Sequence, residues 1–378
     1  MDLALSTEQQ LLQETALRFI HDEYDFPARA RFLQDATASA PTIWRRLAEL
    51  GWLALPLPES YGGIGGTAFD LAVLMQALGR GLVAEPYLAS VVLGGGLIAQ
   101  LGREDQKREM LPKLAAGDLK LAVAFSEPHA SSPLAVSSVV AQSDGNRVRL
   151  TGRKAVVLSA PSADLLVIKA RPAEEAGLSP GSTSSFYLVA PNAQGLELRS
   201  YRTIDGGCAA DIILRDVQVS ADARLGDRGT SGEGLDRVIE TATVAVCAEA
   251  LGAVEGAVAM TRKYLMTREQ FGRPIGANQA LRHRWVDMFI AQEEIRSVVL
   301  FAARCLDLDD ARRLKAVSAA KVMVGQRGRK VCEEAIQLHG GIAITDEYAV
   351  GHYLKRLTAV ERILGDTDFH LDRFAGAM

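Results

Sequence analysis

The stretch "SSVVAQSDGNRVRLTGRKAVVLSAPSADLLVIKARP", residues 137–172, decides the fold. Its apolar residues are largely β-branched and alternate with polar ones, and Asp144-Gly145 is a turn of the kind that joins two strands. The same pattern marks "LKLAVAFSE" (119–127) before it, and "SSFYLVAP" (184–191), "LELRSY" (196–201) and "AADIILRDVQVS" (209–220) after it. These runs predict a central antiparallel β domain over residues 120–229. A flexible Gly-rich loop, "LGDRGTSGEG" (225–234), marks its exit.

On both sides the apolar period lengthens to that of a helix. In the segment 1–119, "LSTEQQLLQETALRFI" opens with hydroxyls at Ser6 and Thr7 and glutamines three positions on, a capping-box pattern. "APTIWRRLAELGWLAL" predicts a second helix stopped at Gly51, and "FDLAVLMQALGRGL" and "EPYLASVVLGGGLIAQLG" predict more. "REDQKREMLPKLAAGD" reads as a helix pair with a charged face. "PESYGGIGG" (58–66) lacks the GK[ST] ending of a phosphate loop and follows no strand, so it reads as a helix-to-helix loop. The segment 230–378 predicts a four-helix-type bundle. Its helices are the Ala/Gly-rich "ATVAVCAEALGAVEGAVAM", "LRHRWVDMFIAQEEIRSVVLFAARCL" and "ARRLKAVSAAKVMVGQRGRKVCEEAIQLHGG", the last ending at Gly340-Gly341. The fold class is α+β multidomain: a helical domain, a β domain and a helical bundle.

Composition narrows the function. With 378 residues, 48% hydrophobic, 23% charged and a net charge of -4, the chain suits an ordinary globular protein and not a nucleic-acid binder, which needs a concentrated basic face. Cys208, Cys247, Cys305 and Cys332 are scattered without CxxC spacing, so buried thiols in a reducing compartment are expected rather than a metal site. "MDLALSTEQQ" has no signal-peptide pattern, and no run reaches the roughly 18 apolar residues of a membrane span. A cytoplasmic location is expected.

The element order, together with "TREQFGRPIGANQ" and "EEAIQLHGGIAITDEY", resembles the acyl-CoA dehydrogenase family over essentially the whole chain. Its motifs are RxxFGxxIxxxQ and, about seventy residues on, AxQxxGG. "EPYLASVVLGGG", "VCAEALGA" and "GHYLKRLT" are similar to the small subunits of pimeloyl-CoA dehydrogenases. The resemblance implies a flavoprotein oxidoreductase of fatty-acid metabolism that forms the α,β double bond of an acyl-CoA, dicarboxylic or otherwise bulky. FAD would be the cofactor and an electron-transfer protein the acceptor. The assembly implied is a dimer or tetramer, as a homotetramer or as a heterotetramer with a second dehydrogenase subunit.

The resemblance also implies positions for FAD. Arg268, Phe271 and Gln279 would contact FAD held mainly by a neighbouring subunit, the arginine offering a fork of charge-assisted donors to the pyrophosphate. Gln337, Gly340 and Gly341 would let backbone approach it where a side chain would intrude; the family's third glycine is Ala343 here. On the β domain, Phe125 and Ser126 precede the loop "SEPHASSP" (126–133), which stands for "TEPGAGSD" and has lost two glycines. "KAVVL" (154–158) stands for "KxWIT", so Val156 replaces the aromatic wall and Leu158 a hydroxyl, leaving the backbone N–H groups of Val156, Val157 and Leu158 as donors. Thr367 completes the set.

The terminal family motif "RDxxxxxIYEGT", counted from Arg356, puts Gly365 where the base glutamate stands. The alternative Glu-Arg site falls on Ala242 and Thr243, and Glu240, at roughly 100° per residue, faces nearly the opposite side of its helix. Asp366 is the candidate catalytic base if its loop shifts, since a general base must come within about 3 Å of its proton; otherwise it caps a turn. Three readings stay open: a dehydrogenase subunit working with a partner, a self-sufficient enzyme using Asp366, and a catalytically silent flavin- or acyl-CoA-binding partner of a heteromeric dehydrogenase.

Overall fold

Ser6 begins the first helix as the sequence predicts. Its side chain accepts from Gln9 N–H while the Gln9 side chain takes Ser6 N–H, and α1 runs Thr7–Asp22, with α2 (Phe26–Phe32) after it. The computed structural model describes residues 4–34, 40–128, 135–173, 184–226, 232–308 and 311–377. By packing these form two compact units, one of Met1–Arg31, Ala68–Val83 and Thr243–Met378, the other of Phe32–Thr67 and Ala84–Ala242. The units do not follow the three blocks read from the sequence, because the N-terminal helices are divided between them.

The second unit holds α3 (Pro41–Glu49), α5 (Gly96–Leu101), α6 (Glu104–Ala116) and the sheet. Gly51 stops the chain after α3 at φ 75°, and the glycine-rich segment 58–66 lies between α3 and the next long helix, as a connecting loop should. The stretch read as a helix pair is a single helix, α6, with Pro112 inside it. That proline lies well past the first turn, so it withholds the N–H that would bond to the carbonyl of Arg108 and crowds that turn. A buried π-helical segment, Tyr87–Gly95, precedes α5, and its Ser90 hydroxyl accepts from Leu121 N–H at 2.9 Å, tying it to the first strand.

The strands are β1 (Leu121–Ala124), β2 (Val140–Asp144), β3 (Arg147–Leu158), β4 (Leu165–Pro172), β5 (Ser185–Val189), β6 (Leu196–Arg202) and β7 (Cys208–Ser220). They form one seven-stranded sheet in the order β1-β4-β2-β3-β7-β6, with β5 on β4. Most pairs are antiparallel, with the Asp144-Gly145 turn joining β2 to β3, but β1 and β2 each pair parallel to β4. One face packs a core of Leu150, Val157, Leu166, Ile168, Ile212 and Leu214. The exit loop predicted at 225–234 falls mostly at 227–231, outside the described residues.

In the first unit α4 (Ala68–Arg80) crosses α7 (Gly232–Thr267) at two glycines. A Cβ on Gly79 would lie 1.9 Å from Glu249 O, and one on Gly252 only 1.8 Å from Gln76 O, so the backbones touch. α8 (Gln279–Asp307) and α9 (Arg313–Met323) follow, then a π turn, Val324–Gly328, leads directly into α10 (Arg329–His339). The third predicted helix is therefore one rod with a π bulge. α11 (Ala349–Arg362) and α12 (Thr367–Gly376) close the chain. α7 is long and apolar enough to cross a membrane, but 83% of its most apolar window is buried, as in a core helix. All four cysteines are buried and none is in a disulfide.

Because the contact at Gly252 is backbone against backbone, relaxation of a side chain cannot relieve it. Gly252→Ala is expected to destabilise the protein by about 3 kcal/mol, the upper part of the overpacking range, read as a lower urea midpoint. An unchanged midpoint would show that the helices separate without cost.

Candidate active site

The first unit gathers the predicted pyrophosphate residues at one end of its helices. After α7 the chain makes a short hairpin, β8 (Glu269–Gln270) with β9 (Arg273–Pro274). Arg268 is fixed at its base, its N–H donating to Tyr264 O and its carbonyl accepting from Ile275 N–H, both at 2.8 Å. At the tip Phe271 adopts φ 55° and is fully exposed. Gln279, the first residue of α8, is exposed, as is Gln337 in the last turn of α10. Gly340 ends α10 at φ 69°, and a Cβ at Gly340 or Gly341 would meet nothing within 4 Å. The Tyr264 ring stacks on His339 at 4.5 Å, which brings the arginine segment beside the glycine turn. Neither ring was singled out from the sequence, although Tyr264 lies one turn before Arg268. An open backbone, an exposed fork of donors and an exposed aromatic ring fit one side of an adenine dinucleotide.

In the second unit β1 leads into half-buried Phe125 and Ser126, and Ala155 N–H donates to Ser126 O at 3.1 Å, placing Ser126 beside Val156. Buried Lys154 anchors this region by donating to Glu127 Oε1, and to Ser137 Oγ at 2.8 Å; Glu127 Oε2 accepts from Ser138 N–H at 3.0 Å. Burial draws the Lys154 ammonium down to about 8 despite the Glu127 carboxylate. Residues 129–133 of the altered loop lie outside the described residues. Of the three strand positions, Val157 points into the core, so only Val156 and Leu158 present side chains to the opposite face. Val156 is half exposed at φ 50°, and its N–H already donates to Asp211 Oδ1 at 3.1 Å. The flavin-side fit thus keeps Ser126 and the open face but not a free Val156 N–H.

The loop after α11 is held firmly. Lys321, fully buried, donates to Gly365 O at 2.5 Å and to Glu361 O at 3.2 Å. His370, also fully buried, donates from Nε2 to Leu364 O at 3.0 Å. Leu364 and Gly365 take φ of 62° and 100°, and a Cβ on Gly365 would lie 2.3 Å from the Phe369 ring. The adjacent Asp366 is the N-cap of α12: Oδ1 accepts from Phe369 N–H at 3.0 Å and Oδ2 from Arg362 at 3.1 Å. Thr367 begins that helix, its N–H donating to Glu361 Oε1 at 2.9 Å. Of the two outcomes open for Asp366, base or cap, the geometry is that of a cap on a loop pinned at two successive carbonyls. Arg356, from which the motif is counted, makes a two-pronged pair with Glu249 at 2.7 and 2.8 Å. The alternative base positions, Ala242 and Thr243, are fully buried, and Glu240 is 2% exposed. Lys321 was legible in one respect, as a lone lysine inside the apolar run "AVSAAKVMVG".

Comparison with known proteins places this arrangement. Residues 6–118 match the N-terminal domain of acyl-CoA dehydrogenases and residues 232–378 their C-terminal domain. The chain is 31% identical over 314 residues to the caffeyl-CoA reductase-Etf complex subunit CarC of Acetobacterium woodii, covering 82% of each. It is 28% identical to the probable acyl-CoA dehydrogenase YngJ of Bacillus subtilis, covering 96% of this chain and 95% of that one. The ChsE4-ChsE5 complex of Mycobacterium tuberculosis has the same fold, with a TM-score of 0.89 at 26% identity over 100% of this chain and 98% of that chain.

Burial lowers His370 from the usual 6.5 to about 4, so in the native state it stays neutral with Nε2–H on Leu364 O. Between those values the unfolded chain binds a proton that the native state does not. This stabilisation is therefore complete above about 6.5 and is lost as pH falls toward about 4. His339 and His352 are lowered in the same direction. Unfolding free energy is expected to decline with acid in this window, and less steeply in His370→Gln. Equal slopes in denaturant titrations of the two proteins would overturn the assignment.

Proposed function

The chain belongs to the acyl-CoA dehydrogenase family, whose cofactor is FAD, and on that premise we propose that it is the subunit of a heteromeric dehydrogenase that lacks its own catalytic base. The reaction proposed is α,β-dehydrogenation of a bulky or dicarboxylic acyl-CoA, by analogy with the small subunits that the sequence is similar to. The segments 1–119, 120–229 and 230–378 are proposed as the family's helical, β and helical domains. An electron-transfer protein would accept the electrons, a partner of the kind that the caffeyl-CoA reductase-Etf complex is named for, and the site of action proposed is the cytoplasm.

Arg268, Phe271, Gln279 and the Gly340-Gly341 turn would hold the pyrophosphate and adenosine half of FAD, with Gln337 beside them. Ser126 would donate its hydroxyl to the ring edge. FAD supplies the acceptor for the hydride that leaves the β-carbon. The remaining need is a carboxylate for the α-proton, and here the base loop carries the reading. Gly365 has no side chain, its Cβ direction is filled by Phe369, and both Asp366 oxygens are occupied. Displacing Asp366 toward a substrate would uncap α12, break an ion pair, and pull against Lys321 and His370. A partner subunit with a glutamate in this loop would take the proton instead.

Assembly follows from surface chemistry. Met266 on α7 and Phe289 on α8, 62% and 42% exposed, line an open cleft of about 510 Å³ with Trp285, and Val286 and Ile290 on α8 are 44% and 51% exposed. Exposed large apolar side chains gathered on two neighbouring helices mark interfaces. A dimer or a tetramer of dimers is expected, and a monomer by light scattering at micromolar concentration would defeat this.

Purified alone, the chain should turn over a panel of acyl-CoAs at least about a hundredfold more slowly than with its partner, the scale of loss from a misplaced catalytic group. Asp366→Asn should leave the rate of the complex unchanged, since an asparagine still caps α12. Robust turnover by the isolated chain that collapses in Asp366→Asn would make Asp366 the base and sink this reading.

A further inference from the structure

On the second unit the sheet face opposite the core has an unusual polar centre. The register aligns Tyr201 with Ala209 and Ala209 with Leu158, and next along aligns Arg199 with Asp211. The β3–β7 pairing slips between Lys154 and Val157. In that bulge Val156 adopts φ 50°, and its N–H leaves the ladder for Asp211 Oδ1 at 3.1 Å. The same oxygen accepts the Tyr201 hydroxyl at 3.0 Å. Arg199, the cross-strand neighbour of Asp211, turns instead to Glu197 at 2.7 Å. Val156 and Tyr201 are 50% and 39% exposed beside Asp211, and add apolar surface. Asp211 therefore lies between the apolar Val156 and Tyr201 on one side and the Arg199–Glu197 pair on the other.

We propose that Asp211 is the positioning residue that sets how tightly, and at what potential, this β unit meets a flavin ring. The inference rests on the FAD reading above and concerns a residue that the family motifs do not assign here. Two effects act together. The carboxylate occupies the Val156 N–H, which otherwise points a donor at whatever lies on the face, as bulges commonly do. It also fixes a negative charge on this face, which opposes a reduced flavin more than an oxidised one because reduction adds negative charge to the ring. Asp211 thus weakens flavin binding and lowers its potential. Tyr201, whose hydroxyl burial and the carboxylate hold up to about 12, stays a neutral donor that orients Asp211.

The test uses the full-length chain, FAD titrated by fluorescence, and the midpoint potential by dye equilibration. Asp211→Asn keeps an oxygen to accept from Val156 and Tyr201, so it isolates the charge; Asp211→Ala also frees the Val156 N–H. Both are expected to bind FAD about tenfold more tightly, the scale of one unit charge a few ångströms away in a partly hydrated site, and Asp211→Asn to raise the potential. Tyr201→Phe should change affinity by less than about twofold, because the Asp211–Val156 bond remains. Flavin binding seen only in Asp211→Ala would also support the proposal. Wild-type affinity and potential in both Asp211 variants, with FAD lost in Arg268→Ala, would overturn it and leave the FAD reading standing. No FAD binding by any of these proteins, alone or with the partner subunit, would overturn the FAD reading and the proposal with it.

Discussion

Backbone contact between α4 and α7 is the constraint on which the helical unit depends. Helix axes usually stay 8–10 Å apart because side chains lie between them; at Gly79 and Gly252 nothing does. This close crossing fixes α7, and the polar groups along it then find partners at set heights. Glu249 receives Arg356 from α11, and Glu255 receives Gln76 from α4 and Arg296 from α8, both at 2.6 Å. Buried pairs of this kind add little net stability, but removing one partner is costly, so they penalise any other register of the helices. The Arg268 hairpin is the continuation of α7, and its position is inherited from that crossing.

What the sequence made legible was local. The capping box at Ser6 and Gln9, the Asp144-Gly145 turn and the helix stop at Gly340 each depend on residues within a few positions, and each is present. The parallel pairing of β1 and β2 with β4 was not legible. Parallel strands are joined by distant chain, so no turn residue announces them. The π bulge at Val324–Gly328 was hidden for a related reason: its Gly325 is dictated by Glu361 and Thr367, which a Cβ there would approach to 2.2 and 2.4 Å.

The candidate site divides in the same way. Arg268, Phe271, Gln279, Gly340 and Gly341 carry motif spacing, and all five are exposed, with open space at the two glycines. The fate of Asp366 turned on Phe369 N–H, Arg362, Lys321 and His370, of which Lys321 comes from α9, distant in the chain. Asp211 was invisible because its role arises from a register slip across two strands, and Val156 alone signals only a missing aromatic. Motifs reveal which chemistry a position once suited; the tertiary partners decide whether the side chain is available for it.

The Phe369 ring lying where a Gly365 side chain would go has a consequence for the history open to this chain. A single change of Gly365 to glutamate meets a ring at 2.3 Å and a backbone at φ 100° that disfavours any side chain. Regaining an acidic group there requires Phe369 to shrink and the loop to leave its two anchors, and each change alone lowers stability before any benefit arrives. On the function proposed above, loss of the base position is thus a ratchet. A lineage carrying this loop would be held to dependence on another chain by packing, even where selection would favour independence.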